Sequence, residues 1–199
     1  MTKPNWLRTD EHTEAVMALE AFYSNLLQVE RDLYYWKWAV IALHNSIQGF
    51  MVCALRGTSN FAILTPESAQ EWMEAHEQAQ PLPQEVLDDF LNLYKKIKGD
   101  LMIQYVDSQK FTPKGQQGRS IKRLNELRND FIHFTPKGLS LEVSGLPEVC
   151  LDVLAIIDFL VTQSGNIPLH RWHGLRERCL KLLADSRSKL NNIARAYGG

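Results

Sequence analysis

The sequence holds no Cys-x-x-Cys pair, and its three cysteines, Cys53, Cys150 and Cys179, are odd in number and far apart. That argues against a disulfide framework and a cysteine-ligated zinc module, and fits a reduced protein with buried thiols. No basic–apolar–cleavage pattern marks a secretory signal at the start. The longest apolar stretches are interrupted by Lys37, Asp152 and Asp158, so none gives roughly 20 unbroken residues for a membrane span. A soluble, cytoplasmic protein with no membrane contact is the expectation. No GxxxxGK[ST] occurs, and Gly115 with Gly118 does not replace a P-loop. Strand-period alternation never survives more than a few residues, which argues against a sheet. Tandem repeats and low-complexity tracts are absent. Net charge is nearly absent too, at −1, so the chain is not a uniformly basic polyanion binder.

What is present is enough apolar residue for a core. The hydrophobic fraction is 45% over 199 residues, which fits a single domain. Charge is unevenly spread. Residues 1–110 carry nine Lys/Arg against fifteen Asp/Glu, net −6, and residues 111–199 carry thirteen against eight, net +5. A basic back half suits contact with a polyanion. Ordinary solvated helix faces account for it equally well.

Helical periodicity dominates the chain. The spacing of Ala15, Leu19, Phe22, Leu26 and Val29 predicts a helix from Thr13 to Arg31. Trp36, Val40, Leu43, Ile47, Phe50 and Ala54 predict another from Leu33 to Arg56, stopped by Gly57. Trp38, Ile41 and Val52 add apolar surface on other faces, so this helix is expected to be central. Further helices are expected over Glu67–Gln78, Gln84–Lys98, Arg119–Phe134, Pro147–Gln163 and Leu169–Ala196. Pro83 is placed at the first turn of the fourth, with Val86 and Leu87 inward. The fold class is therefore an all-α helical bundle. Its core is read as 15–163, with 169–197 a basic amphipathic terminal helix. The five tryptophans are read mostly as core and anchor residues.

The stretch from Leu124 to Phe134 is where polar chemistry gathers. Leu124, Leu127, Phe131 and Phe134 form an apolar stripe, and Arg128, Asn129 and His133 sit beside it. Polar groups next to a buried face need partners or a task. The matched turns Phe111-Thr112-Pro113-Lys114-Gly115 and Phe134-Thr135-Pro136-Lys137-Gly138 bracket this helix. Asn129 and His133 are one turn apart. Arg128 lies about 140° round the helix from His133, so the pair does not share one face. A site using both is most easily built where two copies of the helix meet.

The pattern Arg-Asn-x-x-x-His at Arg128–His133, late in an amphipathic helix of an all-α chain, resembles the motif of the HEPN superfamily. An earlier core helix carrying His44, Asn45 and Gln48 resembles the one that lines the family's polar cleft. The resemblance covers roughly Ala15 to Gln163; the terminal helix is additional to it. It implies a HEPN-type bundle and a homodimer with a composite Arg/His site at the subunit seam. It also implies metal-independent endoribonuclease activity with Arg128, Asn129 and His133 as catalytic residues and no cofactor. Such proteins are often toxins or anti-phage effectors, some paired with a nucleotidyltransferase-like antitoxin.

The residues support that chemistry in outline. Histidine titrates near neutrality and can serve as base or acid. Arginine stays charged and holds phosphate oxygens in a fixed fork. Lys114, Arg119, Lys122, Arg123 and Lys137 surround the motif helix as candidate RNA-backbone contacts. Each assignment has a plainer counterpart. Arg128 can pair with Asp130 or Glu126, His133 can cap the helix end, and His44 can be a satisfied core histidine. His170 and His173 near Cys179 lack a fourth ligand, so no metal site is expected. The competing reading is a non-catalytic HEPN-like module for dimerisation, nucleotide or partner-protein binding.

Overall fold

The computed structural model describes residues 5–133, 138, 140–168 and 174–198. Among them are seven α-helices: α1 (Glu11–Leu26), α2 (Tyr35–Leu55), α3 (Pro66–Glu77), α4 (Phe90–Lys96), α5 (Gln117–Ile132), α6 (Leu146–Thr162) and α7 (Leu175–Gly198). Two 3₁₀ turns, Phe61–Ile63 and Asp100–Met102, lie in the connections. Paired extended backbone among the described residues amounts to one isolated bridge, Leu64 to Leu87. The protein is all-α.

The helix starts have local causes. Asp10, in extended conformation, accepts the Thr13 N–H at 2.7 Å and caps α1, whose first turn carries Glu11 and Glu14 at the positive end of the helix dipole. Helix α1 stops at Leu26 rather than Arg31. The Asn25 amide bonds back to the Ala21 carbonyl at 2.7 Å, and the chain turns through Gln28 and Asp32. Thr65 caps α3, with Pro66 in its first turn. Helix α2 ends before Gly57, whose φ of +55° continues no helix.

Helix α2 is the centre of the bundle. It buries Trp36, Val40, Leu43, Ile47, Phe50 and Ala54, and packs on α1, α4, α5 and α6. Its contact with α1 is the most extensive among the described helices. A Cβ added at Gly49 would sit 2.9 Å from the Ala15 Cβ, and the Ser46 hydroxyl donates to the Ala15 carbonyl at 2.9 Å. By length and composition α2 could cross a membrane, yet 61% of its apolar window is buried inside this bundle. Helix α7 lies along α1 and α6 and adds Cys179, Leu182, Leu183, Leu190 and Ile193 to the same apolar core. Ion pairs Arg178–Glu20, Lys189–Glu30 and Arg187–Asp158 edge that contact, and Trp36 Nε1 donates to Tyr197 Oη at 3.0 Å. Residues 169–173, where the terminal helix was expected to begin, lie outside the described residues.

The segment expected to be helical over Gln84–Lys98 is helical only at Phe90–Lys96. Backbone bonds tie residues 84–89 to the 63–65 segment instead: Thr65 N–H to the Val86 carbonyl at 3.0 Å, Asp88 N–H to the Ile63 carbonyl at 2.9 Å. Val86 and Leu87, expected inward, are 53% and 42% exposed. Asp89 then caps α4 through the Asn92 N–H. Buried Asp88 anchors the segment by pairing with Lys96 at 2.7 Å, and Lys96 also donates to the Leu64 carbonyl at 2.6 Å. Burial pushes the Asp88 carboxyl up, but hydrogen bonds from Lys96, Asn92 and the Asp89 N–H outweigh it and hold it below the usual range.

The far end of α2 is held by a buried polar clasp. Asn166 Nδ2 donates to the carbonyls of Ala54 and Met102, each at 2.8 Å, and its Oδ1 accepts from Ser108 at 2.6 Å. Gly165, at φ +75°, lets the chain pass Asp107, whose carbonyl oxygen would be 2.5 Å from an added Cβ. Replacing Asn166 by Ala strands two buried carbonyls and a hydroxyl. Urea unfolding should show Asn166→Ala destabilised by about 2–4 kcal/mol, against under about 1 kcal/mol for an alanine change at exposed Gln116.

Candidate functional site

Helix α5 exists because Ser120, Ile121, Leu124 and Leu127 give it a buried face, while its opposite side is almost wholly charged or amide. The apolar stripe of the motif is buried at Leu124 and Leu127 and half-buried at Phe131; Phe134 lies outside the described residues. Arg128 falls at the edge of the buried face. There it enters a groove of about 900 Å³ between α1 and α2. The groove floor is made of small residues, Ala15, Ala18, Ala42 and Gly49, and its sides include Trp38, Asn45, Gln48 and Glu14.

Arg128 is held but not neutralised. Its Nη1 donates to Asn129 Oδ1 at 2.9 Å. Its Nε is buried and meets no hydrogen-bond partner among the described residues. Neither Glu126 nor Asp130 pairs with it; Glu126 instead lies 3.5 Å from Arg123. Among the described residues this half-buried guanidinium thus has one donor without an acceptor and no carboxylate partner, and such a charge is costly unless compensated.

His44 lies beneath the groove and does not line it. Its side chain is almost fully buried, 1% exposed, and stacks on Phe90 with ring centroids 4.0 Å apart. Its Nε2 is 3.0 Å from Asn125 Oδ1. Because that oxygen only accepts, the Nε2 carries the proton and Nδ1 holds the lone pair. That Nδ1 is buried and has no partner among the described residues. Burial pulls the His44 pKa down to about 4; the Asn125 hydrogen bond opposes this and the Arg128 charge reinforces it. His44 is therefore neutral at pH 7. Its role is to lock α2 to α5 and fix the origin of Arg128.

The other expected site residues divide by face. Asn45 and Gln48 line the groove with Arg128. Asn129 is exposed and reaches Arg128 through its side chain. His133 is exposed at the C-cap of α5, its N–H donating to the Asn129 carbonyl at 2.8 Å, and it does not line the groove. Lys114, Arg119, Lys122 and Arg123 are all exposed. At about 100° per residue Arg119, Lys122 and Asn129 share the solvent side of α5 with His133, away from the groove. Lys137, with Pro136, lies outside the described residues, as do His170 and His173. Among the described residues no three His, Cys, Asp or Glu side chains gather as metal ligands.

Two groove features had no clear sequence signal. Trp38, read with the core tryptophans, is 47% exposed in the groove wall, whereas Trp36 is buried. Asn125, the partner of His44, looked like one more polar residue between stripe positions. The thiols offer no nucleophile. All three are buried and free. Burial, with a smaller push from Asp10 at Cys53 and from Asp158 at Cys179, drives both pKa values up to about 12, and burial alone drives Cys150 up as well. No family model, curated protein or solved structure matches the chain.

The His44 arrangement has a measurable pH signature. The folded pKa is about 4, below the ordinary 6.5, so the unfolded state binds a proton first as pH falls. Stability from this group is full above about pH 6.5 and is lost as pH drops towards 4, by roughly 3 kcal/mol in total. Urea unfolding of wild type and His44→Gln at pH 7 and pH 4.5 should give the wild type the larger acid loss, by about 2 kcal/mol. Parallel losses in the two proteins would contradict the buried neutral imidazole.

Proposed function

We propose that this protein is a metal-independent endoribonuclease of HEPN type, acting as a dimer with its active site at the subunit seam. The observation that carries the reading is the Arg128 guanidinium, half-buried in an open groove and, among the described residues, with an unused Nε–H and no carboxylate partner. Phosphate is the ligand whose charge and oxygen spacing suit such a fork. His133, exposed at the end of the same helix, is free to face a partner subunit.

The chemistry needs only these groups. One side chain takes the proton of a ribose 2′-hydroxyl, the resulting oxygen attacks the adjacent phosphorus, and the 5′-oxygen leaves with a proton. The products are a 2′,3′-cyclic phosphate and a 5′-hydroxyl. His133 serves as the proton-transferring group, and Arg128 stabilises the charge that builds on the phosphorane oxygens. Asn129 holds the Arg128 fork in place through its Oδ1. Lys114 just before α5 and Arg119, Lys122 and Arg123 on its exposed side supply the positive charge that attracts an RNA backbone. Within one subunit Arg128 and His133 diverge by about 140°, so the working pair is Arg128 of one subunit with His133 of the other. A toxin or anti-phage role, checked by a partner antitoxin, suits an enzyme of this kind.

That same divergence is what a non-catalytic module for dimerisation, nucleotide or partner binding would also show, and one assay separates the two. Wild type should cut single-stranded RNA in EDTA and leave cyclic phosphate ends. His133→Ala and Arg128→Ala, with unchanged helical content, should each lose about 10²–10⁴-fold. Mixing the two inactive variants should restore about one quarter of the activity, because half of the randomly formed dimers then hold one intact site of two. Cleavage unaffected by either change, or absent from the wild type, would leave the binding module standing.

A further inference from the structure

We propose that the groove leading from Arg128 along α1 and α2 is a subsite for a short unpaired RNA segment, with Trp38 as the stacking platform and Asn45 and Gln48 reading the base; this rests on the ribonuclease reading above. Trp38 is 47% exposed in the groove wall, where its indole offers a large flat apolar face. Its indole is accompanied by Lys37, whose Nζ lies 5.3 Å from the ring centroid and 5.7 Å from that of Tyr34. A cation on an aromatic ring beside an open groove is the combination that holds a base and its phosphate together.

The rest of the groove suits a flat ring. Ala15, Ala18, Ala42 and Gly49 leave depth over the α1–α2 contact because none projects beyond a methyl group. Asn45 and Gln48 each present a carbonyl and an amino group, so either can pair with the donor–acceptor edge of an unstacked base. Charge sets direction and length. Arg128 attracts phosphate, whereas Glu11 and Glu14, on the first turn of α1, also line the groove. Glu11 is already paired with Arg56, and Glu14 accepts from Thr9 at 2.6 Å, so that end is carboxylate and not phosphate territory. From Glu14 to Asn25, the α1 side of the groove runs about 16 Å at 1.5 Å per residue. That is room for a short strand.

The probe is an uncleavable 2′-O-methyl RNA pentanucleotide of mixed sequence, read by binding, alongside the base profile at cut sites in a mixed-sequence single-stranded RNA. Trp38→Ala should weaken pentanucleotide binding roughly 5- to 100-fold, the loss of one stacked base, and Trp38→Phe should recover most of it. Asn45→Ala and Gln48→Ala should flatten the base preference beside the cut with little change in affinity. Sedimentation mass and helical signal should stay those of the wild type. Should the alanine variant at Trp38 lose its fold, the two amide variants, at partly open positions, decide the matter. If the wild type binds and cuts RNA while the folded variants keep its affinity and base profile, the subsite is wrong and the ribonuclease reading survives. If the wild type neither binds nor cuts RNA, both fall together. If Trp38→Ala dissociates a dimer and leaves RNA binding untouched, the groove is a subunit interface and the subsite is overturned.

Discussion

Helices α1 and α2 approach until a glycine is needed between them, and much of the molecule's surface and interior follows from that contact. Gly49 has no room for a Cβ against Ala15, and Ser46 spends its hydroxyl on the Ala15 carbonyl. Small side chains on the facing sides let the two backbones close, and apart from Trp38 in the groove wall the largest residues of α2 turn the other way. Trp36, Leu43 and Phe50 accordingly fill the core shared with α5, α6 and α7. On the outer side the same small residues leave a trough. The groove is thus the reverse face of the close α1–α2 packing, and neither exists without the other.

Among the described residues the fold delivers one positive charge into that trough, and a buried polar pair aims it. His44 on α2 and Asn125 on α5 meet across the core edge, with Phe90 stacked on the imidazole. The next turn of α5 after Asn125 brings Arg128 to the groove. An apolar contact at the same place would allow α5 to slide or rotate, whereas a directional bond fixes both. The low basicity of His44 is part of the arrangement, because a second positive charge beside Arg128 would be buried with no counter-charge.

Much of this is legible from periodicity. The spacing from Trp36 to Ala54 with Gly57 beyond it defines α2 to within two residues, and the largely apolar stretch after Pro147 defines α6. Where the sequence misleads, a competing interaction explains it. Val86 and Leu87 mimic a helical stripe, but their backbone is committed to residues 63–65 and Asp89 starts the helix later. The divergence of Arg128 and His133 follows from residue counting alone. The groove does not, because the exposure of Trp38 is decided by what α1 fails to put over it. The pairing of His44 with Asn125 spans 81 residues, and no local pattern announces a partner so far away.

Asn166 gives the fold a timing as well as a shape. Its amide closes on the Ala54 carbonyl across 112 residues of chain and on Met102 across 64. Contacts of that separation come after local helix formation, since loop closure must be met before they contribute. The α1–α2 hairpin can form from neighbouring sequence, and Gln104 reaches the Leu55 carbonyl from mid-chain, but the Ala54 carbonyl waits for the α6–α7 connection. During synthesis the groove would therefore be shaped before the molecule that carries it is locked.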